Sequence, residues 1–351
     1  MNRISEIEAL VRPNIRQLCP YSTARDEFEG KLGVFLDANE SPYPTGWNRY
    51  PDPRQKELKK RISTIKGVKP SNIFLGNGSD EAIDLIFRVF CIPEKDNIVA
   101  ISPSYGMYSV SADINDIEVR PVLLNEDFSL PVERLLAACD EHTKAVFLCS
   151  PNNPSGNAIP NTEIYRVLES FNGIVVVDEA YIDFCSEPSL LKDIDRYPNL
   201  LILQTFSKAR GLAALRLGLA FSNEYIISLM SMVKYPYNIN ESTQRLALEA
   251  LDNPIDCQVS EIISQRARVT EALAHFSCVE KVYPSEANFV LAKVDDANAL
   301  YDHLISKQII VRNRTKMDLC KNCLRITVGL PEENDRMLKA IQEYEESNIR
   351  R

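Results

Sequence analysis

The 351-residue sequence predicts an α/β fold, in which a three-layer domain with a mainly parallel central sheet is joined to a smaller α+β domain. The first observation is a series of short, apolar, β-rich runs between about residues 72 and 221, which alternate with helical patterns. Runs this short and this apolar are typical of strands buried on both faces of a parallel sheet. The second observation is a change after Tyr237, where a long helical stretch leads into fewer strands. A chain of this length also exceeds the usual size of one compact domain.

The runs in the first region predict the strands of the large sheet. Helical patterns at 80–90 and 162–171 fall between some of these runs, which indicates helices that cover the sheet. The predicted strands are 73–75, 98–101, 145–149, 174–177, 200–203 and 217–221.

The second region predicts the smaller unit. We expect the first 36 residues, which contain Pro13 and Pro20, to form an arm that joins it. The predicted large domain therefore comprises residues 37–240, and the small domain comprises 1–36 and 241–351. The predicted elements of the small unit are a helical stretch at 242–276, strands at 288–293, 309–312 and 324–328, and helices at 297–307 and 331–346.

Composition excludes several classes of protein. No apolar stretch approaches the roughly 18 residues that span a bilayer, so no membrane segment is expected. Glu6 and Glu8 interrupt the position of a signal-peptide core, and we expect a cytoplasmic protein. A net charge of −9 opposes binding to nucleic acid, because that affinity comes mainly from cationic contacts with phosphate.

The nine cysteines are scattered and odd in number, which is typical of reduced core thiols. Cys320 and Cys323 form a Cys-x-x-Cys pair, but the chain has no second such pair and only three histidines. A four-ligand zinc site is hard to assemble from these residues. We therefore predict no metal site and assign no role to the pair.

Residues 71–87 contain a predicted strand that ends at Gly76 and Gly78 and a helix that begins near Ser79 and Asp80. Ser79 or Asp80 is a suitable N-cap, and the amides at such a helix start attract phosphate. An ordinary capped helix after a turn explains the same residues. The motif is not a dinucleotide fingerprint, because the third glycine is missing.

Two further motifs follow buried strands. Residues 150–156 form a loop rich in proline and asparagine at a strand end, where open α/β sheets bind ligands, and Asn153 offers an amide there. The next strand ends in Asp178, with Tyr181 three residues on. A carboxylate in such a place needs a positive partner. The protonated nitrogen of a pyridine ring would be one, and a structural arginine or a metal would be another.

The last motif lies in the loop after the strand at 200–203, with Lys208 at its tip. A single lysine is nearly always a solvated surface charge. Here Ser207 and Arg216 can bind a phosphate, and the lysine amine is positioned to condense with an aldehyde.

Taken together, these motifs resemble those of the aminotransferases of the large fold-type I pyridoxal-phosphate group. The resemblance runs nearly end to end and is greatest to the histidinol-phosphate branch. The stretches that carry it, besides the motifs above, are Leu-Asp-Ala-Asn-Glu-Ser-Pro at 36–42, Arg-Tyr-Pro-Asp-Pro at 49–53 and Cys-Leu-Arg-Ile-Thr-Val-Gly at 323–329.

The resemblance implies a role for each matching residue. Lys208 would carry pyridoxal 5'-phosphate as a Schiff base, and Asp178 would pair with the ring nitrogen. The cofactor phosphate would be bound by Ser207, Arg216 and Tyr50, the last from the second subunit of a homodimer. The other implied cofactor contacts are Gly78, Ser79 and Asp80 for the phosphate, Tyr105 for the ring face, and Asn153 and Tyr181 for the phenolic oxygen. Tyr21, Arg312 and Arg325 would line the substrate end.

The activity that the resemblance implies is the transfer of an amino group between L-histidinol phosphate and 2-oxoglutarate, in histidine biosynthesis. An aromatic aminotransferase and a threonine-phosphate decarboxylase are the alternatives that keep the cofactor. A non-catalytic regulator of the same fold would need an added DNA-binding segment or a lost lysine. The pattern Ser-x-x-Lys, at 63–66 and at 231–234, also occurs in penicillin-binding enzymes, which makes such an enzyme another alternative. The companion motifs of those enzymes are missing from this sequence.

Overall fold

The structure is a computed structural model that describes residues 3–23 and 33–349, with side chains described for 5–23 and 33–347. Its large sheet has seven strands in the order β1-β7-β6-β5-β4-β2-β3. Only β7 runs antiparallel to its neighbours, and the pairs from β6 through β3 are all parallel. The predicted mainly parallel sheet is confirmed. The strands are β1 Ile73–Asn77, β2 Asn97–Ser102, β3 Glu118–Leu123, β4 Thr143–Cys149, β5 Ile174–Asp178, β6 Leu200–Thr205 and β7 Leu217–Phe221.

The six predicted runs all form strands, and β3 is the strand that the sequence analysis missed. β3 lies at the edge of the sheet, and only Val122 among its residues is buried. It also contains Glu118, Arg120 and Pro121, so it lacks the continuous apolar run by which the central strands were recognised.

The residues of β5, β6 and β7 are all buried, so both faces of the large sheet are covered, as in a three-layer α/β domain. α4 is the most closely integrated, because it buries an apolar face that includes Ile83, Ile86 and Phe90. The helices of this part of the chain are α1 Arg3–Leu10, α2 Pro13–Arg16, α3 Lys56–Lys66, α4 Gly78–Phe90, α5 Met107–Ile114, α6 Val132–Ala137, α7 Asn161–Ser170 and α8 Glu224–Val233, with short 3₁₀ turns at Pro70–Asn72, Ile182–Phe184, Leu190–Asp193 and Ala213–Leu215.

The second sheet is antiparallel and has four strands in the order β10-β11-β9-β8. β8 was not predicted, since two of its five residues, Glu280 and Lys281, are charged and exposed, and only Tyr283 is buried. The predicted helical stretch 242–276 is two helices, because Pro254 cannot continue the first of them. The elements are α9 Glu241–Leu251, α10 Asp256–Leu273, β8 Val279–Tyr283, β9 Phe289–Val294, α11 Ala297–Ser306, β10 Arg312–Asn313, β11 Cys323–Thr327 and α12 Pro331–Ile349.

The N-terminal segment packs on the large sheet's core. Ile7, Val11 and Ile15 are buried in the same hydrophobic cluster as the strands of that sheet. The amide of Arg12 also donates to the carbonyl of Val89 in α4, at 3.0 Å. The sequence analysis expected this arm to join the small unit instead. Apolar residues spaced four apart form one stripe on the segment, and the stripe is buried where the large core offers apolar surface.

The direction of the strands determines which loops meet. β1, β2, β4, β5 and β6 run the same way, so their carboxyl ends lie at one edge of the sheet. The reversed strand β7 begins at this edge. Ligands bind at such an edge in open α/β sheets. No helix in the described part of the chain combines the length and apolarity needed to cross a membrane.

Candidate active site

A pocket opens at this edge of the large sheet. Including its open mouth, it holds about 500 Å³ of space that protein atoms do not fill. The ends of β1, β2, β4, β5 and β6, or the loops that follow them, contribute to it, as does the residue before β7. The lining residues are Gly78, Ser79, Asp80, Tyr105, Cys149, Asn153, Asp178, Ala180, Tyr181, Thr205, Ser207, Lys208 and Arg216.

The first turn of α4 forms one wall of the pocket, and two glycines allow its close approach to β7. Gly78 has a φ of +72°, in the left-handed region that favours glycine. A Cβ on Gly218 would lie 2.1 Å from both the carbonyl carbon of Gly78 and the amide nitrogen of Ser79. The start of a helix carries amide groups without intrahelical partners, and these bind anions. The wall therefore presents amide groups of the kind that bind a phosphate.

Asp80 connects this wall to two other predicted site residues. Its carboxylate lies 3.3 Å from the guanidinium of Arg216 and accepts a hydrogen bond of 3.0 Å from the hydroxyl of Tyr105. The N-cap of α4 is Asn77, so the expectation that Ser79 or Asp80 caps the helix is wrong. Both residues lie inside the first turn, and the side chain of Asp80 is directed to its site partners instead of to a capping bond.

Asp178 lies at the end of β5 and is almost fully buried, at 3% exposure. Its Oδ2 accepts a hydrogen bond of 2.7 Å from the hydroxyl of Tyr108, and its Oδ1 accepts one of 3.1 Å from the amide of Ala180. Burial raises the pKa of Asp178 to about 6, while these two hydrogen bonds act in the opposite direction. A buried carboxylate of this kind is best compensated by a cationic N–H group.

Lys208 faces Asp178 across the pocket. Its Nζ lies 5.5 Å from the centroid of the Tyr181 ring. Burial lowers the pKa of Lys208, and the positive charge of Arg325 lowers it further, whereas Asp178 opposes both effects. A lysine with a lowered pKa is more often unprotonated near neutral pH, and an unprotonated amine is a nucleophile and a base.

Arg325, in β11 of the small sheet, contacts a residue that lines the pocket. Its Nη1 donates to Oδ1 of Asn153, and its guanidinium lies 5.1 Å from the centroid of the Phe289 ring. Arg312 is directly opposite Arg325 in the β10–β11 ladder, so the two side chains share one face of the sheet. Each arginine thus presents positive charge beside the pocket.

All the residues predicted to bind the cofactor line this pocket, with the exception of Tyr50. Tyr50 is half exposed and stacks on Tyr237, with 4.5 Å between ring centroids. Tyr21 lies in a separate, wider depression, which holds about 1440 Å³ of unfilled space by the same measure, and is 75% exposed. The action of Tyr50 in a partner's site stays a prediction.

Two side chains that the sequence analysis did not name belong to this region. Tyr108 follows the predicted ring-stacking residue Tyr105 by three positions, which brings both onto one side of α5 and its preceding turn. Arg314 follows Arg312 by two positions, the spacing that repeats a face of a strand. Both could have been found from these spacings.

Cys320 and Cys323 are fully buried. They belong to the hydrophobic cluster of the large core, together with Tyr283 and Leu291. Within residues 5–23 and 33–347, no group of three or more histidine, cysteine, aspartate or glutamate side chains could hold a metal ion.

The pocket combines an anion-binding wall, a buried carboxylate and an amine of lowered pKa. A phosphorylated heterocyclic aldehyde has a complementary group for each of them. The amine can condense with the aldehyde, and the carboxylate can accept a ring N–H. The phosphate suits the helix start and Arg216.

Comparisons with known proteins agree with this chemistry. The sequence pattern of the family Aminotransferase class I and II matches residues 37–341. The histidinol-phosphate aminotransferase of Bacteroides thetaiotaomicron is 54% identical over 342 residues, which is 97% of this chain and 99% of the relative.

Solved structures extend the likeness. The histidinol-phosphate aminotransferase from Clostridium acetobutylicum superposes with a TM-score of 0.80 and 26% identity, over 86% of this chain and 92% of that one. The one from Sinorhizobium meliloti, in complex with pyridoxal-5'-phosphate, superposes with a TM-score of 0.77 and 24% identity, over 88% and 90% of the two chains. This chain belongs to the histidinol-phosphate aminotransferase family, within the class I and II aminotransferases.

Proposed function

We propose that this chain is a pyridoxal-phosphate-dependent aminotransferase that moves the amino group of L-histidinol phosphate to 2-oxoglutarate. The products are imidazole acetol phosphate and L-glutamate. The observation that carries the proposal is the meeting of Lys208, Asp178 and Arg216 with the first turn of α4 in one pocket. The family to which the chain belongs independently supports amino-group transfer as the reaction class.

The residues of the pocket fit the cofactor. Gly78, Ser79 and Asp80 at the start of α4 would hold its phosphate, with Ser207 and Arg216. The glycine contact between β7 and α4 supports this, because a Cβ on Gly218 would displace the helix start. Bound there, pyridoxal phosphate supplies an electron sink that makes the substrate's α-proton acidic.

The other faces of the cofactor have candidate partners as well. Asp178 would accept a hydrogen bond from the ring nitrogen, and the bond from Tyr108 orients its carboxylate. Tyr105 would pack against the ring face. Asn153 and Tyr181 would donate to the phenolic oxygen. Together these residues would orient the ring relative to Lys208.

Lys208 would have two tasks. Its Nζ would hold the cofactor covalently between turnovers and, as a free amine, would accept the proton of the substrate's α-carbon as a general base and later give it up as a general acid. The lowered pKa of Lys208 favours the unprotonated amine that the first transfer needs. The ring of Tyr181 lies beside this amine, with 5.5 Å between Nζ and the ring centroid.

Arg325, Arg312 and Tyr21 are the candidates for binding the anionic groups of both substrates. A chain with a net charge of −9 must provide positive charge locally for such ligands. Arg325 lies next to Asn153 and acts electrostatically on Lys208. It is therefore the arginine best suited to bind an anionic group close to the reacting carbon.

We also propose a homodimer in which Tyr50 contacts the cofactor phosphate of the partner subunit. Half of Tyr50 is exposed, and in its own chain it lies outside the pocket. A hydroxyl donor that does not serve its own site is available to a second one. The cytoplasmic location stays a prediction.

The test is product analysis with purified protein that has been saturated with pyridoxal phosphate. L-histidinol phosphate and 2-oxoglutarate should yield glutamate and imidazole acetol phosphate in equal amounts. L-threonine O-3-phosphate and L-phenylalanine serve as competing donors. Release of carbon dioxide from the former, without any need for an oxo acid, would make the chain a decarboxylase and overturn the proposal.

A further inference from the structure

Arg314 lies beside the two arginines already described. Its amide donates to the carbonyl of Cys323 at 2.8 Å, which extends the β10–β11 ladder by one position. Side chains alternate along a strand, so Arg314 faces the same way as Arg312 and its partner Arg325. Three guanidinium groups therefore share one face of the small sheet, next to the pocket.

The three groups are poorly compensated. The Nε atoms of Arg314 and of Arg325 are both buried without a hydrogen-bond partner. Among residues 5–23 and 33–347, no carboxylate forms an ion pair with any of the three arginines. Burial lowers the pKa of Arg314, and the charge of Arg312 lowers it further. An arginine in a protein keeps its proton, so the three side chains stay positively charged and repel one another. Binding an anion between them offsets this repulsion.

The neighbours of each arginine indicate where that anion lies. Arg325 is the largest positive influence on Lys208, whereas Arg314 acts on Arg325 and on Tyr181. Arg314 lies opposite Cys323, two positions along β11 from Arg325, and it is Arg325 that donates to Asn153 of the pocket lining. A substrate whose amino group is at Lys208 would reach Arg314 only with its remote end.

We propose that Arg314 determines specificity by binding, together with Arg312, the remote phosphate monoester of the amino donor. The inference rests on the proposed function and adds a residue to it. A phosphate monoester has a charge between about −1.5 and −2 near neutral pH and three acceptor oxygens. Two forked guanidinium groups can satisfy these oxygens together, whereas a single carboxylate would leave one group without a partner. The phosphorylated donor is thus distinguished from the same alcohol without phosphate.

The test compares two donors, L-histidinol phosphate and L-histidinol, with the holoenzyme. Arg314→Gln should lower the ratio of their kcat/KM values roughly ten- to hundredfold, the effect of one charge-assisted hydrogen-bond pair. Arg314→Lys should keep part of the ratio, because it keeps the charge and loses the fork. Arg166→Gln, which removes an exposed arginine paired with Glu133, is the matched control and should leave the ratio unchanged.

A second readout is the binding of inorganic phosphate to the holoenzyme, measured by titration calorimetry. The bound cofactor blocks its own phosphate site, so the titration reports the outer site. Arg314→Gln should weaken this binding about tenfold or more. A donor ratio and a phosphate affinity that both match the wild type, in a folded Arg314→Gln or Arg314→Lys protein, would overturn the inference.

The two proposals fail differently. If the wild-type chain does not transaminate L-histidinol phosphate, the proposed function fails, while loss of phosphate binding in Arg314→Gln would still support an anion site. If the wild-type chain does so and the ratio is unaffected by Arg314→Gln and Arg314→Lys, only the role of Arg314 is overturned.

Discussion

The hydroxyl of Tyr108 donates a hydrogen bond of 2.7 Å to Oδ2 of Asp178, and both side chains are buried. The amide of Ala180 binds the other carboxylate oxygen. Both bonds favour the ionised carboxylate and orient it, which opposes the effect of burial on its pKa. Tyr108 is thus a positioning residue for Asp178.

Tyr108→Phe should weaken the binding of pyridoxal phosphate to the apoprotein about tenfold near neutral pH. Without the hydrogen bond, the pKa of Asp178 rises further, so less of the ionised carboxylate is available to the ring nitrogen. The measurement is the dissociation constant of the cofactor as a function of pH. Tyr165→Phe is a matched control, since the hydroxyl of Tyr165 also binds a buried aspartate, Asp193, but outside the pocket. Equal losses in both variants would contradict the assignment.

Asp178→Asn should change the pH dependence of apoprotein stability. The pKa of Asp178 is about 6 in the folded chain, above the ordinary aspartate value of 3.8. The folded state therefore binds more protons between these values, and stability falls as pH rises through them. Asparagine does not titrate, so the variant lacks this loss of stability. Its free energy of unfolding should therefore rise relative to that of the wild type, by on the order of 2–3 kcal/mol, between about pH 4 and about pH 7.

Denaturant unfolding of the two apoproteins across this range measures the difference. Asp302→Asn, at an exposed position, is the matched control for loss of a carboxyl group. A difference between Asp178→Asn and wild type that does not change with pH would contradict the raised pKa.

Lys208→Ala should reduce turnover roughly a thousandfold or more, since it removes both the covalent attachment and the proton carrier. Borohydride reduction followed by peptide mapping should find the cofactor on the peptide that contains Lys208 in the wild type and on none in the variant. Lys192→Ala, which removes an exposed lysine, should behave as the wild type. Cofactor fixed to another lysine in Lys208→Ala would count against the role of Lys208.

Gly218→Ala should lower both stability and cofactor affinity. Its Cβ would lie 2.1 Å from backbone atoms of Gly78 and Ser79, so β7 and the start of α4 must separate. Overpacking of this kind costs about 1–3 kcal/mol or more. Thermal unfolding and cofactor titration measure the two effects. Gly106→Ala is the control, because nothing lies within 4 Å of its added Cβ and its φ is −64°; similar losses there would contradict the steric explanation.

Mixed dimers should test the role of Tyr50. Tyr50→Ala and Lys208→Ala subunits, inactive alone, should regain up to about a quarter of wild-type activity after mixing and reassociation. Each mixed dimer would contain one intact site, with Lys208 from one chain and Tyr50 from the other. A mixture of Asp178→Asn and Lys208→Ala should not recover, because both residues line the pocket of one chain. No recovery in the first mixture would indicate that Tyr50 does not act across subunits.

The sequence by itself determined the central strands and the candidate residues at their ends. Strands such as β4, Thr143–Cys149, and β5, Ile174–Asp178, are buried on both faces, and burial on both faces leaves a continuous apolar run that can be read directly. The polar residues that follow such runs, Asn153 and Asp178, lie at the same edge because parallel strands end there together.

Tertiary structure decided what depends on contacts between distant segments. The edge strand β3 and the surface strand β8 have no continuous apolar run, because one side of each is exposed, so only pairing identifies them. The hydrogen bond of Tyr108 to Asp178 joins residues 70 positions apart, and its energy depends on burial that no local pattern records. The surroundings of Arg314 likewise depend on tertiary structure, because they include Arg312 of β10 and the distant residue Tyr181. Local pattern specifies which residues are available, and packing specifies which of them meet.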